Sequence, residues 1–470
     1  MDDSITNRRA AKRVCFLFRI ATRDLGDNIL GDSMLNSIWA ENCSIPGFPP
    51  LETDTKTDVL IIGGGMAGLL TAHKLHTAGI HCLLIEKDRI CGGVTQNTTA
   101  KITSQHGLVY DSLVRQFDKD TALLYWQANE AAIGDYRKLS QKIDCDFENT
   151  NSYVYSVHRP DKLEQEMAAL QQLKIPGEFT ATVSLPFPTA GAIRFRHQAQ
   201  FHPLKFAAGI CRDLDIREQT KVLAFEGNTV ITDRGIIQAD KIIITTHFPM
   251  LNKHGSYFLK LYQQRSYALA LKNAPKLDGM YRDEAEDGLS LRSFGDYLLF
   301  GGGSHRTGKP SAGWAPLEAA AQTYYPEARP AYYWATQDCM SLDKMPYIGQ
   351  YSKQTPDLYT ATGFNKWGMT GSMVAATVLC ALMEGKPDPY YNIFSPSRTI
   401  LRKQLLVNSF SSAVNLLTPT APRCPHMGCA LKWNRQEHSW DCPCHGSRFS
   451  KDGTLLDNPA TGDLKINDDS

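Results

Sequence analysis

The chain has 470 residues, of which 42% are hydrophobic and 21% are charged, and its formal net charge is +1 at pH 7. This length allows two or three domains with cores of their own, and the balanced charge argues against a protein that binds nucleic acid. No apolar run is long enough to span a bilayer, so we expect a cytoplasmic protein, with peripheral association at a membrane left open.

The N-terminal segment 1–33 is rich in arginine but also carries several aspartates, which argues against a transit peptide. We expect this leader to be disordered, or translation to start at Met34.

The first regular elements predict a βαβ unit. Thr57–Ile62 is an apolar strand, Met66–His76 has helical spacing, and His81–Glu86 is a second strand. Strands joined by a helical crossover are parallel, so the unit predicts an α/β domain.

The turn between the first strand and the helix has the glycine pattern of a dinucleotide-binding loop. In Gly63-Gly64-Gly65-Met66-Ala67-Gly68 the three glycines of G-x-G-x-x-G would allow a tight turn, approach of the pyrophosphate to the backbone, and close helix packing. Glu86 stands where a carboxylate would bind a ribose hydroxyl. A turn that only packs a helix on a sheet is the alternative, and the unit does not distinguish FAD from NAD.

Later segments extend the α/β pattern and add mixed structure. A nearly continuous β-branched strand, Lys241–Thr246, predicts a buried parallel strand. The other predicted elements are helices at 120–142 and 160–173, strands at 152–158, 222–225, 229–232 and 358–361, and a helix that follows Gly363 and ends at Met383.

Residues 34–395 resemble the D-amino-acid oxidase/glycine oxidase-like family of FAD-dependent oxidoreductases. The resemblance is carried by the βαβ unit, the segment Cys91–Lys101, the strand pair around Val222 and the turn Gly363–Met369. It implies a Rossmann-like FAD-binding domain and an α+β substrate domain. It also implies that the late turn directs a helix N-terminus at the flavin ring, where the helix dipole would stabilise negative charge. The FAD-binding positions implied in this way are Gly63, Gly65, Met66, Ala67, Gly68, Glu86, Lys87, Thr95, Thr98, Thr99, Val222, Gly363, Gly368 and Met369.

The candidates for catalysis or substrate binding are His305, Arg306, Lys366 and Trp367. Arg306 could hold a substrate carboxylate with two hydrogen bonds, as in amine oxidases of this family, or it could form a surface ion pair. His106 is a weaker candidate, with a hydrogen-bonded turn residue as its alternative. We expect Asp343 to belong to a structural turn near the flavin rather than to act as an acid.

The C-terminal region concentrates four of the twelve cysteines next to two histidines. The sequence Cys424-Pro-His426 is followed, after a longer gap, by Cys442-Pro-Cys444-His445, which offers two thiolates and two imidazoles. Two cysteines and two histidines are the ligands of a Rieske [2Fe–2S] centre. A Cys₂His₂ zinc site is the alternative, although zinc fingers usually pair cysteine with cysteine.

This region resembles the Rieske proteins of cytochrome bc complexes. The resemblance implies cluster ligation by Cys424, His426, Cys442 and His445, and a disulfide between Cys429 and Cys444. Ser447 keeps a hydrogen-bonding serine of that motif, but a tyrosine two positions later is replaced by Phe449. Because hydrogen bonds to the cluster raise its potential, we predict a midpoint potential below the top of the Rieske range of roughly −150 to +300 mV.

The predicted domains are thus an oxidoreductase at 34–395, a linker at 396–422 and a β-rich Rieske module at 423–470. FAD-binding parts would lie near 55–105, 215–250 and 340–390, and substrate-domain parts near 106–214 and 251–339. Because so little chain precedes the first ligand loop, we expect the compact module to depend on the flavoprotein body for stability.

A one-electron centre fused to a flavoprotein favours a dehydrogenase of a small amine or amino acid that passes electrons singly to a redox partner, either a protein or a quinone-linked one. The reverse direction of electron flow stays open. The alternative is an electron-transfer or redox-sensing protein with little substrate turnover, and an iron-free protein with zinc in the tail is a third possibility.

Overall fold

A computed structural model describes residues 36–251, 254–399, 404–405, 408, 414–419 and 422–465. The predicted leader 1–33 lies outside the described residues, as does part of the predicted linker 396–422. The strands of the described part are β1 (Thr55–Ile62), β2 (Cys82–Ile85), β3 (Lys101–Ile102), β4 (Glu148–Ser156), β5 (Gly177–Thr180), β6 (Gly191–Gln200), β7 (Ile216–Arg217), β8 (Val222–Glu226), β9 (Thr229–Thr232), β10 (Ile236–Ile244), β11 (Leu261–Lys272), β12 (Gly279–Asp283), β13 (Ser290–Phe294), β14 (Tyr297–Arg306), β15 (Arg329–Ser341), β16 (Tyr347–Ser352), β17 (Thr355–Thr362), β18 (Lys432–Asn434), β19 (Ser439–Asp441), β20 (Arg448–Phe449) and β21 (Leu455–Asp457). The helices of the same residues are α1 (Ile38–Glu41), α2 (Met66–Thr77), α3 (Tyr110–Gln116), α4 (Lys119–Ser140), α5 (Pro160–Leu173), α6 (Pro203–Ile210), α7 (Tyr257–Lys260), α8 (Ala315–Tyr324), α9 (Gly368–Met383) and α10 (Tyr391–Phe394).

The first sheet is the parallel sheet that the βαβ unit predicts. Its order is β16-β17-β10-β1-β2-β7, and all neighbours are parallel except β16 and β17. The β8–β9 hairpin pairs with the first half of β10. Because the carboxyl ends of parallel strands share one edge, the turn after β1 and the segment after β10 lie side by side, where ligands of such sheets bind.

Strand β10 is longer than the sequence predicted. It begins at Ile236, whereas the expected strand began at Lys241. The added half alternates between exposed and buried residues and pairs with β9. The continuous apolar run covers only the half that is buried on both faces.

The second sheet is mixed and mostly antiparallel, with the order β15-β11-β14-β13-β12-β4-β6-β3 and with β5 on β6. Its only parallel neighbours among the described strands are β12 and β4. Residues of this sheet and residues at the carboxyl edge of the first sheet line one cavity, and the division into a nucleotide-binding and a substrate domain stays a prediction.

The third sheet, β18-β19-β20-β21, is small and antiparallel. Its core is formed mainly by cysteines together with Phe449, Leu431 and Leu464. So few apolar side chains stabilise a module weakly on their own. None of the helices in the described part of the chain combines the length and the apolarity needed to cross a membrane.

Candidate active site and iron–sulfur centre

The glycine-rich turn after β1 has the geometry of a nucleotide-binding loop. Gly63 has φ +110°, a conformation that favours glycine. A Cβ on Gly68 would lie 2.0 Å from the Gly63 carbonyl oxygen, so only glycine lets α2 pack this close to the turn. Gly65 is the N-cap of α2 and has no side chain to cap the helix, although the Met66 N–H donates to the Thr95 hydroxyl at 3.0 Å. The first turn of the helix thus offers backbone N–H groups to an anion.

A cavity of about 480 Å³ opens at this loop and continues to the second sheet. Most of the predicted FAD-binding residues line it, whereas Gly68 and Gly363 do not. The lining residues from that set are Gly63, Gly65, Met66, Ala67, Glu86, Lys87, Thr95, Thr98, Thr99, Val222, Gly368 and Met369.

Glu86 lies at the end of β2, at the edge of the cavity. Its carboxylate accepts hydrogen bonds from the N–H groups of Gly64 (2.8 Å) and Asp88 (3.1 Å). Burial raises the pKa of Glu86, while these N–H groups and Lys87 lower it. An acceptor at this position suits a ribose hydroxyl, so the loop, the helix N-terminus and the carboxylate together fit a dinucleotide such as FAD.

The turn before α9 brings two predicted catalytic residues to the opposite end of the cavity. Asn365 and Lys366 both have positive φ, and Trp367 is the N-cap of α9. Lys366 and Trp367 line the cavity. The N-terminus of α9 therefore points a partial positive charge at the cavity.

His106 supports this turn from behind. Its ring stacks on Trp367 with 4.8 Å between centroids. Nε2 lies 2.7 Å from the Thr103 carbonyl oxygen, and Nδ1 lies 2.6 Å from the Tyr125 hydroxyl. Burial lowers the pKa of His106 to about 3, so the ring is neutral at physiological pH. These contacts correspond to the hydrogen-bonded alternative rather than to a substrate contact.

The second sheet and its β12–β13 loop add charged side chains that were not among the candidate site residues. Lys101, Arg282, Glu286 and Asp338 line the cavity together with Lys366. Removal from water lowers the pKa of Lys366 to about 8, with a further lowering by Arg282. The same cause lowers the pKa of Lys101 and raises that of Asp338. With three cationic side chains against two carboxyl groups, this end of the cavity suits a ligand with an anionic group.

His305 and Arg306 do not line the cavity. His305 stacks on Tyr267 with 5.7 Å between centroids. Arg306 lies against the C-terminal module, where its Nε donates to the Pro443 carbonyl (3.1 Å) and its Nη2 to the Cys444 carbonyl (3.0 Å). The expectation that Arg306 binds a substrate carboxylate is therefore wrong for this geometry, because the guanidinium is already engaged elsewhere. Asp343 pairs with Arg398 in a buried turn, as expected of a structural residue.

The four predicted cluster ligands lie in two loops that contact each other through the two cysteines and through the two histidine rings. The rings of His426 and His445 lie 5.0 Å apart, nearly perpendicular to each other. The Cys424 sulfur hydrogen-bonds with Cys442, and this contact, together with N–H groups and Ser447, lowers its pKa to about 7 despite burial. Among the described residues, the buried Nδ1 of His445 has no hydrogen-bond partner. Adjacent sulfurs and a buried imidazole nitrogen without a partner fit a mixed cysteine–histidine cluster.

A disulfide joins Cys429 and Cys444, as the resemblance implied. The sulfurs of these two residues also lie near Cys442. Because two of the three sulfurs are bonded to each other, this group is not a three-thiolate metal site. The disulfide instead links the two ligand loops.

The module is docked on the second sheet through hydrogen bonds to its loop backbone. Gln263 donates to the carbonyls of His445 and Asn458, both at 2.9 Å, and Gln337 donates to the Gly446 carbonyl at 2.8 Å. Arg265 forms an ion pair with Glu437, and both side chains are less than 10% exposed. These contacts hold the module against the flavoprotein body, and the dependence of its stability on that body stays a prediction.

The module also forms part of the cavity wall. Residues 455–458, 460 and 461 line the cavity, and the Asn458 amide donates to the carbonyls of Thr246 (2.6 Å) and Phe248 (2.9 Å). The Phe248 ring lies 6.4 Å from the His426 ring and 6.3 Å from the His445 ring. The connecting segment, residues 245–248, thus borders the cavity on one side and the cluster histidines on the other.

A nucleotide-binding α/β domain, a facing mixed sheet and a small cysteine–histidine module define a flavoprotein oxidoreductase fused to an iron–sulfur domain. The model of the FAD dependent oxidoreductase family matches residues 58–382, and that of the Rieske [2Fe-2S] domain matches residues 399–467. The chain belongs to the FAD dependent oxidoreductase family and carries a C-terminal Rieske domain.

A relative of similar length supports this assignment. The Bacillus subtilis (strain 168) protein YhfW, whose name describes a Rieske 2Fe-2S iron-sulfur protein, is 35% identical over 91% of this chain and 96% of its own length. Cytochrome b6-f complex iron-sulfur subunit 3 of Nostoc sp. is 46% identical, but over only 9% of this chain and 24% of its own length.

Solved structures show the same fold at low identity. Glycine oxidase from Geobacillus kaustophilus superimposes with a TM-score of 0.63 and 19% identity, covering 73% of this chain and 99% of its own. L-proline dehydrogenase from P. horikoshii gives 0.61 and 17%, covering 75% of this chain and 98% of its own.

The protein is therefore an FAD-dependent oxidoreductase with a Rieske [2Fe–2S] cluster. The zinc alternative is wrong, because the C-terminal residues match a Rieske domain.

Proposed function

We propose that the protein dehydrogenates a small amine or amino acid and passes the electrons one at a time through its Rieske cluster to an external redox partner. One observation carries this proposal: the short connecting segment 245–248 lines the flavin cavity with its first residues and contacts the cluster histidines with its last residue, Phe248. When bound, the flavin would accept a hydride and the cluster would carry single electrons.

The contacts support an assignment of the two cofactors to their residues. The loop at Gly63–Gly68, Glu86 and the segment 91–101 would hold FAD, with the N-terminus of α9 at the flavin ring. Cys424, His426, Cys442 and His445 would hold the cluster. His445 is 3% exposed and packs on Phe258, so the flavoprotein body covers it from external partners.

The charged end of the cavity supports a substrate with a carboxylate. Arg282 and Lys366 would bind that carboxylate. Asp338, beside Lys366, would accept a hydrogen bond from the neighbouring amine of the substrate. Oxidation of an amine to an imine removes a hydride and a proton, so the reaction delivers two electrons. We assign Lys366 and Trp367 as the residues of the α9 turn that contact substrate.

An external acceptor would approach the cluster from the side of His426. That histidine is half-buried, and its neighbour Met427 is 38% exposed. An acceptor protein or a quinone-linked partner would therefore meet the first ligand loop rather than the second.

The test is anaerobic mixing of the purified protein with a panel of small amines and amino acids. We expect one of them to bleach the flavin absorption and to generate the EPR signal of a reduced Rieske cluster. If no compound bleaches the flavin while a reduced donor protein reduces both centres, the dehydrogenase proposal is wrong and the electron-carrier alternative is correct.

A matched pair of variants checks the route of the electrons. In Cys442→Ser the substrate should still bleach the flavin, but reduction of a one-electron acceptor should slow strongly. Cys145→Ser, a buried cysteine of the flavoprotein body, should behave like the unmodified protein. Equal acceptor rates in the unmodified protein and Cys442→Ser would contradict transfer through the cluster.

A further inference from the structure

Arg306 brings a positive charge from the flavoprotein body to the second cluster loop. Besides the carbonyls of Pro443 and Cys444, its guanidinium donates to the Asn408 side-chain oxygen at 2.8 Å. The guanidinium carbon lies 5.2 Å from the centre of the Tyr262 ring.

All of these hydrogen-bond acceptors are neutral. No carboxylate of the described residues forms an ion pair with Arg306, unlike the neighbouring Arg265 and Arg448. A half-buried charge without a counter-ion is costly unless an anionic group lies near it. Removal from water lowers the pKa of Arg306, while Tyr262 and Cys442 raise it, so the guanidinium is within electrostatic range of a predicted cluster ligand.

The charge of a Rieske cluster depends on its redox state. Two ferric ions, two sulfides and two thiolates with neutral imidazoles have no net charge, and one added electron makes the cluster anionic. A nearby cation therefore stabilises the reduced state more than the oxidised one.

We propose that Arg306 raises the reduction potential of the cluster and partly offsets the hydroxyl that is missing at Phe449. The flavoprotein body would in this way set the potential of the centre that takes up its electrons. Arg306 is a positioning residue, because it contacts the ligand loop through backbone carbonyls and not the cluster itself. Its effect on the potential would come from its charge. The inference rests on the Rieske centre and is independent of the substrate.

The test is an EPR-monitored redox titration of the intact protein and three variants. Arg306→Gln removes the charge, Arg306→Lys keeps it with fewer hydrogen bonds, and Asn408→Asp places a carboxylate on Arg306 without removing any of its contacts. The Asn408 Nδ2 atom is buried without a partner among the described residues, so this last change sacrifices no hydrogen bond.

We expect Arg306→Gln and Asn408→Asp each to lower the reduction potential of the cluster by about 59 mV or more. This shift corresponds to a tenfold change in the one-electron equilibrium constant. Arg306→Lys should stay close to the unmodified protein. Arg234→Gln is the control, because Arg234 is an exposed residue just before the start of β10, whereas the segment that borders the cluster histidines follows the end of β10. Removing its positive charge should leave the reduction potential of the cluster unchanged.

Two results would overturn the inference. One is a reduction potential in Asn408→Asp that equals or exceeds that of the unmodified protein. This comparison remains valid even if Arg306→Gln fails to retain its cluster. The other is an equal fall in Arg306→Lys and Arg306→Gln, which would mean that Arg306 only clamps the loop. A loss of substrate activity with the potential shifts intact would bear on the proposed function alone.

Discussion

The two cofactor sites of this protein are built in different ways. The nucleotide loop depends mainly on the conformation of its own glycines, with a distant hydrogen bond from the Thr245 hydroxyl to the Gly63 carbonyl at 2.9 Å: Gly63 makes the turn, and Gly68 packs directly on it. The cluster loops are joined by a disulfide but are also held by side chains from far along the chain, such as Gln263 and Gln337.

This difference separates what a motif determines from what its surroundings determine. A short motif fixes which atoms meet a cofactor in both sites. Only the tertiary contacts of the module determine which charges and hydrogen bonds surround the cluster, and these govern its potential. We therefore expect changes at the nucleotide loop and at the cluster ligands to act locally, and changes at the side chains that dock the module to act across both domains.

The largest expected effect is the loss of the cluster in Cys442→Ser. A serine hydroxyl does not replace the thiolate ligand, so iron and acid-labile sulfide should fall to background. Bound FAD should stay near its original content, because the docking contacts do not require the cluster. Cys211→Ser, outside the module, is the control. Loss of FAD together with the iron would show that the two sites are not separable.

The reverse separation is expected for Gly68→Ala. Its Cβ would lie 2.0 Å from the Gly63 carbonyl oxygen, so the turn and α2 must move apart. The protein should be purified without FAD but with its iron, as absorption and iron analysis would show. Gly134→Ala in α4 has no atom within 4 Å of the added carbon. It should keep FAD and gain roughly 0.5–1 kcal/mol of stability.

Glu437 tests the docking of the module. Burial raises its pKa, but Arg265 and Arg448 outweigh this and lower it from 4.5 to about 2. Glu437→Gln breaks a buried network and should cost about 3–5 kcal/mol, seen as a lower thermal unfolding midpoint.

The pH dependence of this effect has a definite sign. A carboxyl group with a depressed folded pKa stabilises above its unfolded value of 4.5 and loses this contribution as the pH falls toward 2. The difference between the unmodified protein and Glu437→Gln should therefore shrink below pH 4.5. Glu178→Gln, an exposed carboxylate, should show little effect, and a constant difference for Glu437→Gln would contradict the network.

The smallest expected effect concerns Lys366. Because removal from water lowers its pKa to about 8, the side chain loses its charge above that pH. Binding of a small carboxylate, followed by perturbation of the flavin spectrum, should weaken by up to about tenfold per pH unit above 8. Lys366→Met should remove this transition, whereas Lys272→Met on the surface should retain it. A transition that persists in Lys366→Met would assign it to another group.

The sequence predicted the sites that short motifs encode. The glycine loop and Glu86 are predicted from their spacing within the βαβ unit, whereas the four cysteine–histidine positions are predicted from a short motif together with its resemblance to Rieske proteins. The charged end of the cavity was missed because Lys101, Arg282 and Asp338 come from three separate strands, and no local pattern connects them.

Arg306 shows why the remaining residues could not be predicted. It lies two residues after Ser304, which lines the cavity. At about 3.3 Å per residue, the strand carries Arg306 beyond the cavity toward the module. Its partners Pro443 and Cys444 lie 137 and 138 residues away in sequence. Whether the Arg306 side chain contacts substrate or the cluster loop depends on how the two domains dock, which the sequence around Arg306 does not encode.

The shared wall at residues 455–461 links the assembly of the two domains. A cofactor that fills the cavity touches a surface to which the module contributes, so its binding favours the docked state and docking in turn favours its retention. A chain that lacks the flavin would therefore be more exposed to proteolysis at the boundary between the two domains, even where its cluster is in place.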